Sequence, residues 1–213
     1  MAWRKRLINT YNLCCDNYGE NYIKQKFIIC LTGVPGAGKS TVADAIKDEG
    51  FILINMGDCI RMEAIRKKLE LNDKNLGNLM LDLRRQHGPG AIAQLVINQI
   101  NEKYYDSSFD KFIIDGIRSI YEIELLKTIG IVKILAIHGS VLTRFRHLKN
   151  RSRLDAPSSL EDCLIRDKRE LSVGVSEAIA FADEMISNNE ITIEQLKRNA
   201  KFIAKKWISS LSG

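Results

Sequence analysis

Phe27-Ile28-Ile29-Cys30-Leu31-Thr32 runs directly into Gly33-Val34-Pro35-Gly36-Ala37-Gly38-Lys39-Ser40-Thr41. The first half is a continuous apolar, β-prone run, the pattern of a strand buried on both faces. The second half matches G-x-x-x-x-G-K-[ST], the P-loop pattern. Gly33, Gly36 and Gly38 let the backbone curl so that its N–H groups approach an anion. Lys39 supplies a compact positive charge for β- and γ-phosphates, and the Ser40 hydroxyl suits a bound Mg²⁺. Val42-Ala43-Asp44-Ala45-Ile46 continues as a helix whose positive N-terminal end faces the same anion. Strand, loop and helix in this order predict a nucleoside triphosphate site formed by residues 33–41.

Working outward, the 213 residues suit one domain, with 45% hydrophobic and 27% charged residues in a globular balance. No apolar run approaches the roughly 20 residues of a membrane span. The basic start, Met1-Ala2-Trp3-Arg4-Lys5-Arg6, is followed by Asn9, Asn12, Asp16 and Asn17 rather than an apolar core, so a signal peptide is not expected. Five cysteines without a C-x-x-C pair argue against a disulfide framework or a zinc site, and place the chain in a reducing cytoplasm. The net charge of +6 fits either nucleic acid or small polyphosphates.

Residues 1–26 form an N-terminal extension, and residues 27–213 form the P-loop domain. Short apolar strands are expected at 50–54, 111–115, 131–137 and 184–187. Helical stripes lie between them, such as Leu76, Leu79, Met80 and Leu83, and later Leu196, Ala200, Ile203 and Trp207. Asp73 reads as a helix cap. Ser119-x-x-Glu122, Ser158-x-x-Glu161 and Thr192-x-x-Gln195 read as helix-opening boxes. Gly130 reads as a helix terminator. Strands alternating with helices predict an α/β, three-layer P-loop sandwich: a mostly parallel five-stranded sheet covered on both faces. Three helices between the second and third strands exceed what one crossover needs, so residues 57–104 include a helical insert.

Ligands of such sheets bind beyond the carboxyl ends of the strands. The P-loop, Asp58 and Asp115 all follow strands and so converge on one edge. Asp115 has the form of the carboxylate that, with Ser40, holds Mg²⁺. Gly57-Asp58-Cys59-Ile60-Arg61 and Asp115-Gly116-Ile117-Arg118 each supply an arginine beside a carboxylate. Arg61 and Arg118 suit an acceptor phosphate, and Asp58 a hydroxyl or the metal. Residues 144–170 are rich in arginine, including Arg144, Arg151, Arg166 and Arg169, and read as a lid over phosphates. His138, at a strand end, reads as a core histidine.

These motifs resemble adenylate kinase and other nucleoside monophosphate kinases. The Gly-Asp-x-x-Arg and Asp-Gly-x-x-Arg segments carry the likeness, although Ile117 stands where a proline usually precedes the second arginine. The resemblance implies that Arg61 and Arg118 contact an acceptor monophosphate. The C-terminal third is similar to dephospho-coenzyme A kinase, through Arg151 and Ala182-Asp183-Glu184-Met185-Ile186-Ser187-Asn188-Asn189. After residue 27 the chain most resembles an archaeal adenylate-kinase-related, dephospho-coenzyme-A-kinase-like P-loop family. Arg84-Arg85-Gln86-His87-Gly88-Pro89-Gly90-Ala91 and Arg166-Asp167-Lys168-Arg169-Glu170-Leu171 carry that likeness.

The expectation is an ATP- and Mg²⁺-dependent kinase of a small phosphorylated acceptor. Lys39, Asp58, Asp115, Arg118, Arg151 and Arg166 are its catalytic candidates. A nucleoside monophosphate leads as acceptor, and dephospho-coenzyme A is the alternative. An RNA-associated ATPase or a nucleotide-dependent regulator is a further alternative. The chain lacks the Asn-Lys-x-Asp segment of guanine-specific GTPases, and no RNA-binding module is legible in it.

Overall fold

Residues 26–104, 110–150 and 159–211 are described by the computed structural model. Among them, β1 (Lys26–Thr32), β2 (Ile52–Asn55), β3 (Lys111–Ile117), β4 (Gly130–His138) and β5 (Glu184–Ser187) form one five-stranded sheet. Its order is β2-β3-β1-β4-β5, and every neighbouring pair is parallel. The apolar run of β1 lies at the centre. Phe27, Ile29 and Leu31 point to one face, where they pack on α1 (Lys39–Lys47) and α9 (Ile193–Ser209). Ile28 and Cys30 point to the other, against the core that includes α2 (Met56–Arg66), α4 (Ala91–Tyr104) and α5 (Ile120–Leu126). Both faces are therefore covered, and the near-continuous hydrophobicity of β1 has its physical reason. The mostly parallel α/β sandwich read from the sequence is the observed fold.

Three helices do lie between β2 and β3: α2, α3 (Asp73–His87) and α4. After β4 come α6 (Val141–Lys149), α7 (Leu160–Ser172) and α8 (Val175–Ala180). Helix α9 opens on a reciprocal box between Thr192 and Gln195 and buries Leu196, Ala200, Ile203, Ala204 and Trp207.

Several local expectations shift by a residue, each for a hydrogen-bonding reason. Asn72, not Asp73, caps α3, because its side chain accepts from the Asn75 N–H. The box opening α7 is Ser159 with Asp162, one position beyond the expected pair. Gly130 does not end a helix: Lys127 is the C-cap of α5, and Gly130 begins β4, where a Cβ would lie 2.1 Å from the Lys26 carbonyl oxygen. Ser119 caps α5, yet the Glu122 side chain does not return to it. That carboxylate is drawn to Arg84 and to the Arg118 N–H instead.

Candidate functional site: a phosphate cradle and an arginine-walled cavity

The loop after β1 lies at the carboxyl edge of the sheet, between β3 and β4, the position where ligands bind in open parallel sheets. Gly33 takes φ 137°, and a Cβ there would stand 2.3 Å from the Ile137 carbonyl oxygen, so only glycine fits. Gly38 is the N-cap of α1 in the left-handed region and offers no side-chain cap. The first-turn N–H groups of α1 therefore point at an anion site without a competing side-chain acceptor. Lys39 Nζ donates to the carbonyls of Gly33 at 2.7 Å and Val34 at 3.3 Å, which folds its charge over the loop.

Asp115 is buried at 4% exposure on β3, opposite Leu31 of β1 and Asn55 of β2. Its Oδ2 accepts from Asn55 Nδ2 at 3.0 Å. The same Asn55 caps α2 through Oδ1, taking the Gly57 N–H at 2.8 Å and the Asp58 N–H at 3.3 Å. One asparagine thus orients both the carboxylate and the first turn of α2. The Ser40 hydroxyl and the Asp115 carboxylate are hard oxygen donors, which fits Mg²⁺. Among the described residues no group of three or more His, Cys, Asp or Glu side chains could hold a metal by itself. Water and phosphate oxygens would complete the coordination, the usual arrangement for Mg²⁺.

Beside the cradle is a cavity of about 460 Å³ between α2, α3 and α7. Arg61, Arg118, Arg166 and Arg169 line it together with Glu170, and so do the apolar Ile60, Leu71, Leu76 and Met80. Arg118 reaches the cavity because β3 slips register against β1 after Leu31 and turns at Gly116, φ 104°. Its Nε donates to Glu170, while its Nη1 is buried without a hydrogen-bond partner among the described residues. Burial works against the Arg118 charge, but Glu170, Glu122 and Asp115 outweigh it and hold the guanidinium above its ordinary pKa. Glu122 is fully buried and anchors this corner, accepting from the Arg118 N–H at 2.8 Å and pairing with Arg84 of α3.

The structure brings together Arg61, Arg118, Arg166 and Arg169 as lining residues. It does not bring Asp58 to the cavity wall. Asp58 is 63% exposed and is held by Arg61, whose Nε and Nη2 lie 3.0 and 2.6 Å from its Oδ1. Arg151 lies outside the described residues. Arg144 is not a lid arginine: it is 3% exposed, and Asp167 of α7 accepts from its Nη1 and Nη2 at 2.8 and 2.6 Å. The polar stripe of α7, Asp167 and Glu170, is buried and explains why the arginines facing it are inward. His138 is exposed at the end of β4 rather than in the core. Cys30, Cys59 and Cys163 are buried free thiols, each pushed up by burial, so none suits a nucleophile.

Sequence reasoning did not find Asn55, and it named Arg84, Glu122 and Asp167 without the roles that they have here. They act through long-range pairings such as Arg84 with Glu122, 38 positions apart. The buried polar position on an otherwise amphipathic helix was the available signal, as at Asp167.

An AAA domain model matches residues 32–163. The chain is 37% identical to a UPF0200 protein of Methanococcus vannielii, over 86% of this chain and 98% of that one. It is 38% identical to a UPF0200 protein of Staphylothermus marinus, over 85% of this chain and 93% of that one. Among solved structures, TT1252 of Thermus thermophilus superposes with a TM-score of 0.61 at 20% identity, covering 86% of this chain and 98% of that chain. A shikimate kinase of Bacteroides thetaiotaomicron superposes at 0.54 and 17% identity, covering 84% and 98%. These structural likenesses give the P-loop kinase-like architecture. On its sequence matches, the chain belongs to the UPF0200 family and carries an AAA-type P-loop domain.

Proposed function

We propose that this protein is an ATP-dependent phosphotransferase that moves the γ-phosphoryl group of ATP, with Mg²⁺, to a small phosphorylated acceptor, a nucleoside monophosphate. The observation that carries the reading is the cavity between α2, α3 and α7, lined by four arginines and four apolar side chains. A phosphate suits the arginines and a planar ring the apolar side chains. In-line phosphoryl transfer leaves the protein little covalent work, so positioning and charge stabilisation suffice. Gly33 to Thr41 would hold the triphosphate, with Lys39 on its β- and γ-phosphates. Ser40 and Asp115 would hold Mg²⁺, which neutralises charge developing on the phosphates.

Arg61 and Arg118 take the acceptor phosphate in this reading, and Arg166 faces the transferring group. A monophosphate acceptor is already ionised and needs no general base, which agrees with the outward position of Asp58. The protein acts in the cytoplasm in this reading, and its buried free thiols suit a reducing compartment. No helix among the described residues is long and apolar enough to cross a membrane.

The test is steady-state kinetics with ATP and AMP. Arg61→Ala and Arg118→Ala are each expected to raise the AMP KM by about 10- to 100-fold, the worth of one charged hydrogen-bonding partner, with the ATP KM little changed. Equal losses for both substrates would remove the assignment of an acceptor site.

A further inference from the structure

Three successive carbonyls of the P-loop are each taken by a side chain from elsewhere in the chain. Pro35 O accepts from Arg144 Nη1 at 3.0 Å. Gly36 O lies 3.0 Å from His147 Nδ1, and since a carbonyl only accepts, that nitrogen carries the proton. Ala37 O accepts from Asn188 Nδ2 at 2.9 Å. The fit is tight: a Cβ on Gly36 would stand 2.7 Å from the Arg144 carbonyl oxygen, and one on Gly38 2.5 Å from Asn188 Nδ2. These bonds fix the path of the loop backbone, which an anion site built of N–H groups requires.

Arg144 does more than hold one carbonyl. Its Nε donates to Gly139 O at 2.9 Å, and its two terminal nitrogens grip Asp167 of α7. Both side chains are buried, at 4% and 11% exposure, so the pair has little water to replace either partner. Arg166, Arg169 and Glu170, neighbours of Asp167 on α7, line the arginine-walled cavity, and Glu170 holds Arg118. One guanidinium therefore touches the P-loop and the helix that forms the cavity wall.

We propose that Arg144 and Asp167 are positioning residues: they set the P-loop carbonyls for phosphate binding and make that setting depend on where α7 sits. This rests on the reading of the P-loop as a triphosphate cradle. An acceptor phosphate that draws Arg118 from Glu170 loosens α7 at one end. The Asp167–Arg144 pair carries that displacement to Pro35. Glu170 and Asp167 stand three positions apart on α7, so this one helix joins the Arg118–Glu170 pair to the Asp167–Arg144–Pro35 contacts.

The test is amide hydrogen exchange by mass spectrometry on the full chain without nucleotide, comparing wild type with Asp167→Asn and Asp167→Glu. Asparagine keeps the shape of the side chain and removes its charge. Exchange in residues 33–41 is expected to accelerate about tenfold in Asp167→Asn, with β3 and α9 unchanged, and to recover in part in Asp167→Glu. In parallel, the Kd for Mg·ATP is expected to weaken about tenfold in Asp167→Asn. If Asp167→Asn does not fold, Arg144→Lys serves in its place, since lysine keeps the charge but cannot reach Pro35 and both Asp167 oxygens together. Unaltered P-loop exchange, or acceleration spread evenly over the chain, would overturn the proposal and leave an ordinary buried ion pair. Wild-type protein that does not bind Mg·ATP would instead contradict the triphosphate reading, while the exchange arm still reports on the brace.

Discussion

Arg118 donates from Nε to Glu170 across the space between the end of β3 and α7. The guanidinium that lines the cavity thus already holds a carboxylate. In the proposed reading, an incoming acceptor phosphate would compete with Glu170 for it.

The first prediction follows from that competition. Glu170→Gln removes one negative charge from the cavity wall while keeping the side chain's shape. The KM for a monophosphate acceptor is expected to fall, by about threefold to tenfold, since a nearby like charge in a partly buried site is worth that order. Steady-state kinetics at fixed ATP measures it. A raised KM would mean that Glu170 orients Arg118 for the acceptor rather than competing with it.

Lys39→Ala tests the cradle. Lys39 already points back over the loop, bonded to Gly33 and Val34 carbonyls. Triphosphate turnover is expected to fall by about 10²–10³, the usual loss for one preorganised donor. The thermal midpoint should stay close to wild type, because Lys39 is only half-buried. Unchanged turnover would remove the P-loop from the reaction.

Asp58 separates acceptor classes. Its carboxylate is exposed and, among the described residues, pairs with Arg61, an arrangement of small energetic weight at a surface. With a monophosphate acceptor, Asp58→Asn is expected to leave kcat within a fewfold of wild type. A loss of about 10²–10⁴ would be the mark of a general base acting on a hydroxyl, and would favour dephospho-coenzyme A as acceptor.

The buried thiols give a prediction in pH. Burial, with a smaller contribution from Asp58, pushes the Cys59 thiol up to about 11. Below that pH the group is protonated, so at pH 8 only about one thiol in a thousand is the reactive thiolate. Cys30, Cys59 and Cys163 are expected to resist iodoacetamide at pH 8 in the native protein and to react after unfolding in urea. Peptide mass spectrometry assigns the sites. Rapid native labelling of Cys59 would contradict its packing beside Gln99.

The parts of this fold that were legible in the sequence are those written in local patterns. The β1 run, the P-loop and the α9 stripe depend on neighbours within a few residues, and each stands where its periodicity put it. Arg61 and Arg118 were legible through short motifs, and both line the cavity. What the sequence hid was pairing across long separations. Arg144 read as one more lid arginine in a basic stretch; its partner Asp167 lies 23 positions away. Glu122 looked like half of a capping box, because the spacing to Ser119 is right. Its carboxylate serves Arg84 and the Arg118 backbone instead, a choice set by tertiary packing.

Incubating the protein with γ-labelled ATP and Mg²⁺, against nucleoside monophosphates, dephospho-coenzyme A and no acceptor, reads the central claim directly. The account predicts label in a nucleoside diphosphate, dependent on Mg²⁺ and lost in Lys39→Ala. Label appearing only as inorganic phosphate, at the same rate with and without every acceptor, would contradict it.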